Sequence, residues 1–156
     1  ERRLGPRARR RIALVCSGNP DHGNDANRSI ALREFAALGA LDADIHLAQK
    51  DLRAVDEPWL HALGIFDHRA ELRDFSDTAA LLSGMDAVVS VDTAVAHLAG
   101  ALGRDLRLIL PENPDWRWML EREDSPWYPT ARLFRRPRAG SWPEVIARVV
   151  ESLTSS

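Results

Sequence analysis

Cysteine, lysine and long apolar runs are what this 156-residue chain has least of. A single cysteine, Cys16, rules out an internal disulfide and fits a reducing compartment, so the expected location is cytoplasmic. No apolar run approaches the roughly 20 residues needed to span a bilayer. No apolar segment of the secretory kind follows the arginine-rich N-terminus, so no signal peptide is expected. A net charge of -2 gives no bulk attraction to nucleic acid or to an acidic membrane. Lys50 is the one lysine beside 20 arginines. A skew of that kind reflects a GC-rich genome and makes the lone lysine conspicuous. Familiar motifs are missing as well. There is no G-x-G-x-x-G fingerprint and no Walker-type loop. His22, His46, His61, His68 and His97 have no metal-ligand spacing, so no metal is expected. The G-x-S-x-G elbow of α/β-hydrolases is absent too.

What remains is an ordinary globular composition, 45% hydrophobic and 28% charged. The length suits one domain with its own core. Residues 1–11 are charged and carry Gly5-Pro6, and read as a linker or arm; residues 12–156 read as the domain. The chain opens on Glu1 instead of Met, which predicts a piece of a longer protein. Short apolar runs alternate with helical patterns. Strands are predicted at Ile12 to Cys16, Ala43 to Ala48, Ile65 to His68, Ala87 to Val91, Leu106 to Leu110 and Ala131 to Phe134. Between them, Ser29 is placed as the N-cap of a helix with the stripe Ile30, Leu32, Phe35 and Leu38. Further helices are predicted over Pro58 to Leu63, closed by Gly64, and over Asp77 to Ser83, closed by Gly84. Another runs from Thr93 to Leu102, with Val95, Leu98, Ala99 and Leu102 inward, and stops at Gly103. Ser141 and Glu144 form a capping box for the last helix, which runs to about Leu153. Alternation of this kind predicts α/β: a doubly wound, Rossmann-like parallel sheet of about six strands in the order 3-2-1-4-5-6.

Ligands of such sheets bind beyond the carboxyl ends of the strands at the switch point, here between the first and fourth strands. Ser17-Gly18-Asn19-Pro20 and Asp92-Thr93-Ala94-Val95-Ala96-His97 follow those two strands. The second segment opens a helix whose first amides lack intrahelical partners and suit a phosphate. Thr93 adds a hydroxyl, and His97 lies one turn on along the same face. The competing reading makes Asp92 or Thr93 a plain N-cap and packs His97 against the sheet. Arg28 stands where a guanidinium can grip a phosphate, although a surface arginine there is equally ordinary. Gln49 and Lys50 follow the second strand, where a ribose or base is often met. Phe75 can stack on a base or sit in the core. Trp116, Trp118, Trp127 and Tyr128 crowd a proline-rich stretch and either stack on sugars or plug the end of the sheet. Glu121 with Glu123 and Asp124 reads as solvated charge.

The stretch from Val91 to Gly103, D-T-A-V-A-H-L-A-G-A-L-G after the valine, resembles the D-T-[GA]-x-x-H-L-A-x-A-L-G signature of heptosyltransferase-like (family nine) glycosyltransferases. Ser17-Gly18-Asn19-Pro20 with His22, Asn24-Asp25 and Arg28-Ser29 is similar to a bacterial subgroup in which such a domain follows tetratricopeptide repeats. Asp115 to Trp118 and Asp124 to Pro129 match that subgroup too. The resemblance implies the C-terminal, donor-binding half of a GT-B fold. The acceptor and the general base would belong to an N-terminal domain, or to a domain joined to helical repeats, upstream of this chain. It implies that Ser17, Gly18 and Arg28 border the diphosphate or sugar, and that Gln49 and Lys50 lie near the ribose or base. Asp74 and Phe75 would line the base pocket. Asp92, Thr93 and Ala94 would meet the diphosphate and sugar, with His97 one turn behind. The expected partner is a nucleoside-diphosphate sugar, taken as substrate without a metal or other cofactor; the acceptor is unidentified. Three positions depart from the pattern: Cys16 in place of Trp, Asp105 in place of Pro, and Glu112-Asn113 in place of apolar or small residues. Two rival readings are a non-catalytic nucleotide-binding or scaffolding module and a sugar-nucleotide epimerase. The second needs its own set of carboxylates and a histidine, which this chain does not display.

Overall fold

The computed structural model describes residues 4–155. Its centre is a six-stranded, all-parallel sheet in the order β3-β2-β1-β4-β5-β6. The strands are β1 (Arg10–Val15), β2 (Ala43–Leu47), β3 (Phe66–Asp67), β4 (Ala87–Val91), β5 (Asp105–Leu110) and β6 (Ala131–Arg135). The order is the predicted one, and it reverses between β1 and β4. The helices are α1 (Asp25–Arg28), α2 (Glu57–Ala62), α3 (Phe75–Ser83), α4 (Ala94–Ala101) and α5 (Trp142–Thr154), with a 3-10 stretch over Leu32–Ala40.

Both faces of the sheet are covered, which is why its strands read as continuous apolar runs. On one face Ile12, Leu14, Ile45, Leu47, Val89 and Ile109 pack with Leu32, Phe35 and Leu38 of the 3-10 stretch and with Val145, Ile146 and Val149 of α5. On the other, Ala13, Val15, Val88, Leu106 and Leu108 meet Leu81 and Leu82 of α3, Ala96 and Ala99 of α4, and Trp118. Each fully buried Leu, Val or Ile here contributes about 1.5–3 kcal/mol.

Several elements differ from the sequence expectation. Ser29 is not an N-cap but the C-cap of α1, and the first amide of the 3-10 stretch, that of Leu32, is taken at 2.9 Å by Asp56. Strand β1 begins at Arg10, and the supposed arm is fastened from Leu4 onward. Leu4 packs against the second core face, and the Arg11 guanidinium donates to the carbonyls of Leu4 (3.1 Å) and Gly5 (2.8 Å). Residues 1–3 lie outside the described residues. In α4 it is Ala96, Ala99 and Gly100 that are fully enclosed, while Val95, Leu98 and Leu102 are half-buried. Gly64 and Gly103 end their helices at φ 63°, the left-handed conformation glycine adopts without strain. Gly84 closes α3 at an ordinary φ of -88°.

The two rims of the sheet are unlike. Connections from helix back to strand are two or three residues long: 41–42, 63–65, 84–86 and 102–104. On the carboxyl rim, residues 16–24 and 111–130 form long excursions. Among the described residues no helix is long and apolar enough to cross a membrane.

Candidate functional site

Beyond the carboxyl ends of β1 and β4 lies a cleft of about 520 Å³. It is lined by His22, Asn24, Arg28, Asp92, Thr93, Ala94, His97, Pro114, Asp115 and Arg117. Five of the sequence-predicted residues therefore meet there: Arg28, Asp92, Thr93, Ala94 and His97.

The start of α4 is the unusual part of the wall. α3 is closed by Asp74, whose carboxylate accepts the amides of Ser76 (2.9 Å) and Asp77 (3.0 Å). At the head of α5, the Glu144 carboxylate accepts the Ser141 amide at 2.8 Å. The N-cap of α4 is Thr93, and its side chain makes no capping bond. Thr93 Oγ1 is buried and has no hydrogen-bond partner in the protein. The helix thus offers its leading amides to the cleft, and one idle hydroxyl lies buried in the wall beside them. Beside them Arg28 donates from Nη1 to the Asp92 carbonyl at 2.9 Å. Asp25, itself buried, sits behind the guanidinium, 3.5 Å from Arg28 Nε, and also takes the Ser29 hydroxyl at 2.7 Å and the Arg53 guanidinium. Gly18 packs flat on the Arg28 guanidinium, where a Cβ would lie within 3 Å of its nitrogens. Burial raises the Asp92 carboxyl above its usual range, opposed by the Trp118 indole and by His97. His97 Nε2 is 3.8 Å from Asp92 Oδ1, and its Nδ1 is 2.9 Å from the Tyr128 hydroxyl.

A second, mainly apolar hollow of about 320 Å³ lies on the other side of the first turn of α4. Ala48, Lys50, Leu72, Arg73, Asp74, Phe75, Thr78 and Val95 line it. Lys50 is exposed at its rim and Phe75 is 59% exposed. The Asp74 carboxylate is already committed to the cap of α3.

Ser17 and Gln49 line neither hollow. Gln49 is buried beneath the first loop: its Oε1 accepts the amide of Cys16 at 2.7 Å, and its Nε2 donates to Ser17 Oγ at 2.9 Å and to the Asp51 carbonyl at 2.7 Å. It shapes the loop after β1. Cys16, fully enclosed, has its thiol pushed up to about 12 by burial. Asp105 pairs with Arg107 and Arg10, so its departure from proline is an electrostatic change at the foot of β5. Glu112 and Asn113 are exposed and line neither hollow. The aromatic group divides: Trp118 is a buried plug, while Trp116 and Trp127 are 72% and 57% exposed. Sequence reasoning named no cleft role for Pro114, Asp115 and Arg117. The Asp115 to Trp118 motif was the available signal. Among the described residues no group of three or more His, Cys, Asp or Glu is arranged to hold a metal.

Comparison with known proteins bears on one sequence segment and on the fold. Residues 72–107 match the sequence profile of glycosyltransferase family 9 (heptosyltransferase). That segment includes Asp74, Phe75, Asp92, Thr93, Ala94 and His97. Protein FlbA of Caulobacter vibrioides is 35% identical over 80 residues, which is 51% of this chain and 13% of FlbA. Among solved structures, E. coli ADP-heptose LPS heptosyltransferase II superposes with a TM-score of 0.67 at 18% identity, over 99% of this chain and 48% of that one. The E. coli heptosyltransferase WaaC, solved with ADP-2-deoxy-2-fluoro heptose, gives 0.65 at 16%, over 95% and 45%. The chain thus spans about half the length of the structures it matches and a smaller share of the curated relative. Its residues 72–107 match the glycosyltransferase family 9 profile, and its α/β architecture matches about half of the fold of those heptosyltransferases.

Proposed function

We propose that this chain is the donor-binding half of a glycosyltransferase, holding a nucleoside-diphosphate sugar while the sugar moves to an acceptor bound elsewhere. One observation carries the reading: at the switch point, an uncapped helix N-terminus and the Arg28 guanidinium line one cleft, with the unpartnered Thr93 hydroxyl buried in its wall. In the transfer, the bond between the anomeric carbon and the diphosphate oxygen breaks and its electron pair stays on the diphosphate. The α4 amides, Thr93 and Arg28 stabilise that developing charge. The acceptor oxygen bonds the anomeric carbon and gives its proton to a base, which belongs to an acceptor domain or repeat-linked domain upstream. The sugar lies toward Asp92 and His97, and the nucleobase of the donor lies in the apolar hollow by Lys50 and Phe75. No metal is needed for this leaving-group chemistry, and the nucleotide sugar is substrate.

Titration calorimetry of the chain with ADP, GDP, UDP and their sugars tests the reading. At least one should bind, and Arg28→Ala should weaken it roughly tenfold to a hundredfold, the worth of a charged hydrogen bond or two. A non-catalytic nucleotide-binding or scaffolding module is the second reading. Its support is that Asp74 and Gln49, two polar groups that the family resemblance would set beside the nucleoside, are engaged in structural bonds. It predicts no donor binding and no effect of Arg28→Ala.

A further inference from the structure

We propose that Tyr128 is a positioning residue of the cleft: it holds His97 in the tautomer protonated on Nε2 and turns that N–H toward the anion site. What enters the cleft rests on the donor-site reading above; the tautomer does not.

The imidazole has a polar neighbour at each end, a hydrogen bond at one and a carboxylate beyond hydrogen-bond distance at the other. At Nδ1 stands the Tyr128 hydroxyl, 2.9 Å away, and at Nε2 the Asp92 carboxylate, 3.8 Å away. A phenol can donate or accept, but an ionised carboxylate only accepts. Placing the proton on Nε2 turns an N–H toward Asp92 and leaves the Nδ1 lone pair for the phenol to donate into. The other neutral tautomer would set a lone pair against the carboxylate. The hydrogen bond at one ring nitrogen thus decides the state of the other. Ring rotation is also fixed, because Trp118 stacks on His97 with centroids 5.1 Å apart and planes 26° apart.

The phenol is placed with equal definition. Its ring lies on Gly100, and a Cβ at that position would come within 2.8 Å of three ring carbons. His97 and Gly100 are three residues apart on α4, so one helix face receives the hydroxyl and the ring together. The buried Ser125 hydroxyl accepts the amides of Trp127 (3.2 Å) and Tyr128 (3.3 Å), which anchors the backbone that carries the phenol. Tyr128 is the one tyrosine in the chain. With the proton on Nε2, the N–H is too far from Asp92 for a full hydrogen bond and stays available to a phosphate or sugar oxygen on the same wall as Thr93.

The test uses the chain labelled with 15N-histidine, as wild type, Tyr128→Phe and Gly100→Ala. At neutral pH the wild-type His97 nitrogens should show the Nε2-protonated pattern. Tyr128→Phe keeps the ring and should give averaged shifts of mixed tautomers. Gly100→Ala, which displaces the phenol, should do the same. For whichever of ADP, GDP or UDP the wild type binds, Tyr128→Phe should lose roughly threefold to tenfold in affinity with an unchanged melting curve. Unaltered His97 shifts in Tyr128→Phe, or an Nδ1-protonated wild type, overturns the proposal. Altered shifts with unaltered affinity overturn its role in binding. If no diphosphate binds the wild type, the donor-site reading falls and the tautomer assignment is decided by the shifts alone.

Discussion

His46, which is buried, and Asp92, which is half-buried, impose opposite pH trends on stability. His46 is almost fully enclosed on β2, stacked on Phe66 at 4.9 Å and hydrogen-bonded to His68 at 2.9 Å. Burial first, then His68 and Arg11, lower its pKa to about 4, against a small opposing pull from Asp44. A base depressed in the folded state contributes stability above its unfolded pKa, and that contribution is lost as pH falls through the folded value. Melting temperature should therefore drop by several degrees between about pH 6.5 and pH 4, and His46→Phe should flatten that part of the profile. Asp92 works the other way. Its pKa is raised, so its contribution is present below the unfolded pKa and lost as pH rises through the folded one. At pH 7 the ionised carboxylate destabilises the fold. Asp92→Asn should raise the melting temperature by roughly 2–4 °C at pH 7, with no gain near pH 3, while weakening donor binding. A variant that melts lower at pH 7 would show that the carboxylate has a structural partner instead.

At the level of elements, what could be read in the sequence depended on whether an element's partners were local. The runs Ala13-Leu14-Val15 and Ala87-Val88-Val89 announced buried parallel strands, because both faces of the sheet are covered. The head of α4 was legible because an open N-terminus is a local property. The segment after β1 was not. Leu32, Phe35 and Leu38 recur every third residue, the period of a 3-10 helix, yet Ile30 ahead of them suggested an α-helical stripe. The bond that starts this segment comes from Asp56, 24 residues away, and no local signal announces it. Gln49 was misjudged for the same reason: its partners, Cys16 and Ser17, sit 33 and 32 residues earlier. Tyr128 was weighed only as a sugar-stacking or plugging aromatic, because its role depends on meeting α4. Gly18 gives the element-scale prediction. Gly18→Ala should leave stability within about 1 kcal/mol, since the obstructing atoms are the mobile end of Arg28. It should nonetheless lower diphosphate affinity about tenfold, by moving the guanidinium off the Asp92 carbonyl. Unchanged affinity in calorimetry would mean that Arg28 can serve from another position.

As a whole molecule, the chain carries one wall of a site. It covers just under half of each heptosyltransferase structure cited above. The cleft residues supply anion-binding groups, and the proposed function leaves the acceptor and its base to a second domain. The isolated chain should therefore bind donor weakly and release nucleoside diphosphate no faster than buffer does, as followed by a coupled assay. Robust transfer by this chain alone would contradict that division of labour.

The unequal rims of the sheet bear on how such a molecule changes over time. Turns of two or three residues on one side leave little slack, so an insertion there would pry apart packed strands and helices. The long excursions on the opposite side, 16–24 and 111–130, bring His22, Asn24, Pro114, Asp115 and Arg117 to the cleft while most of their neighbours stay out of the core. Exchange of the exposed parts of those segments should therefore alter what the cleft accepts, provided that Trp118 stays to fill the second core face.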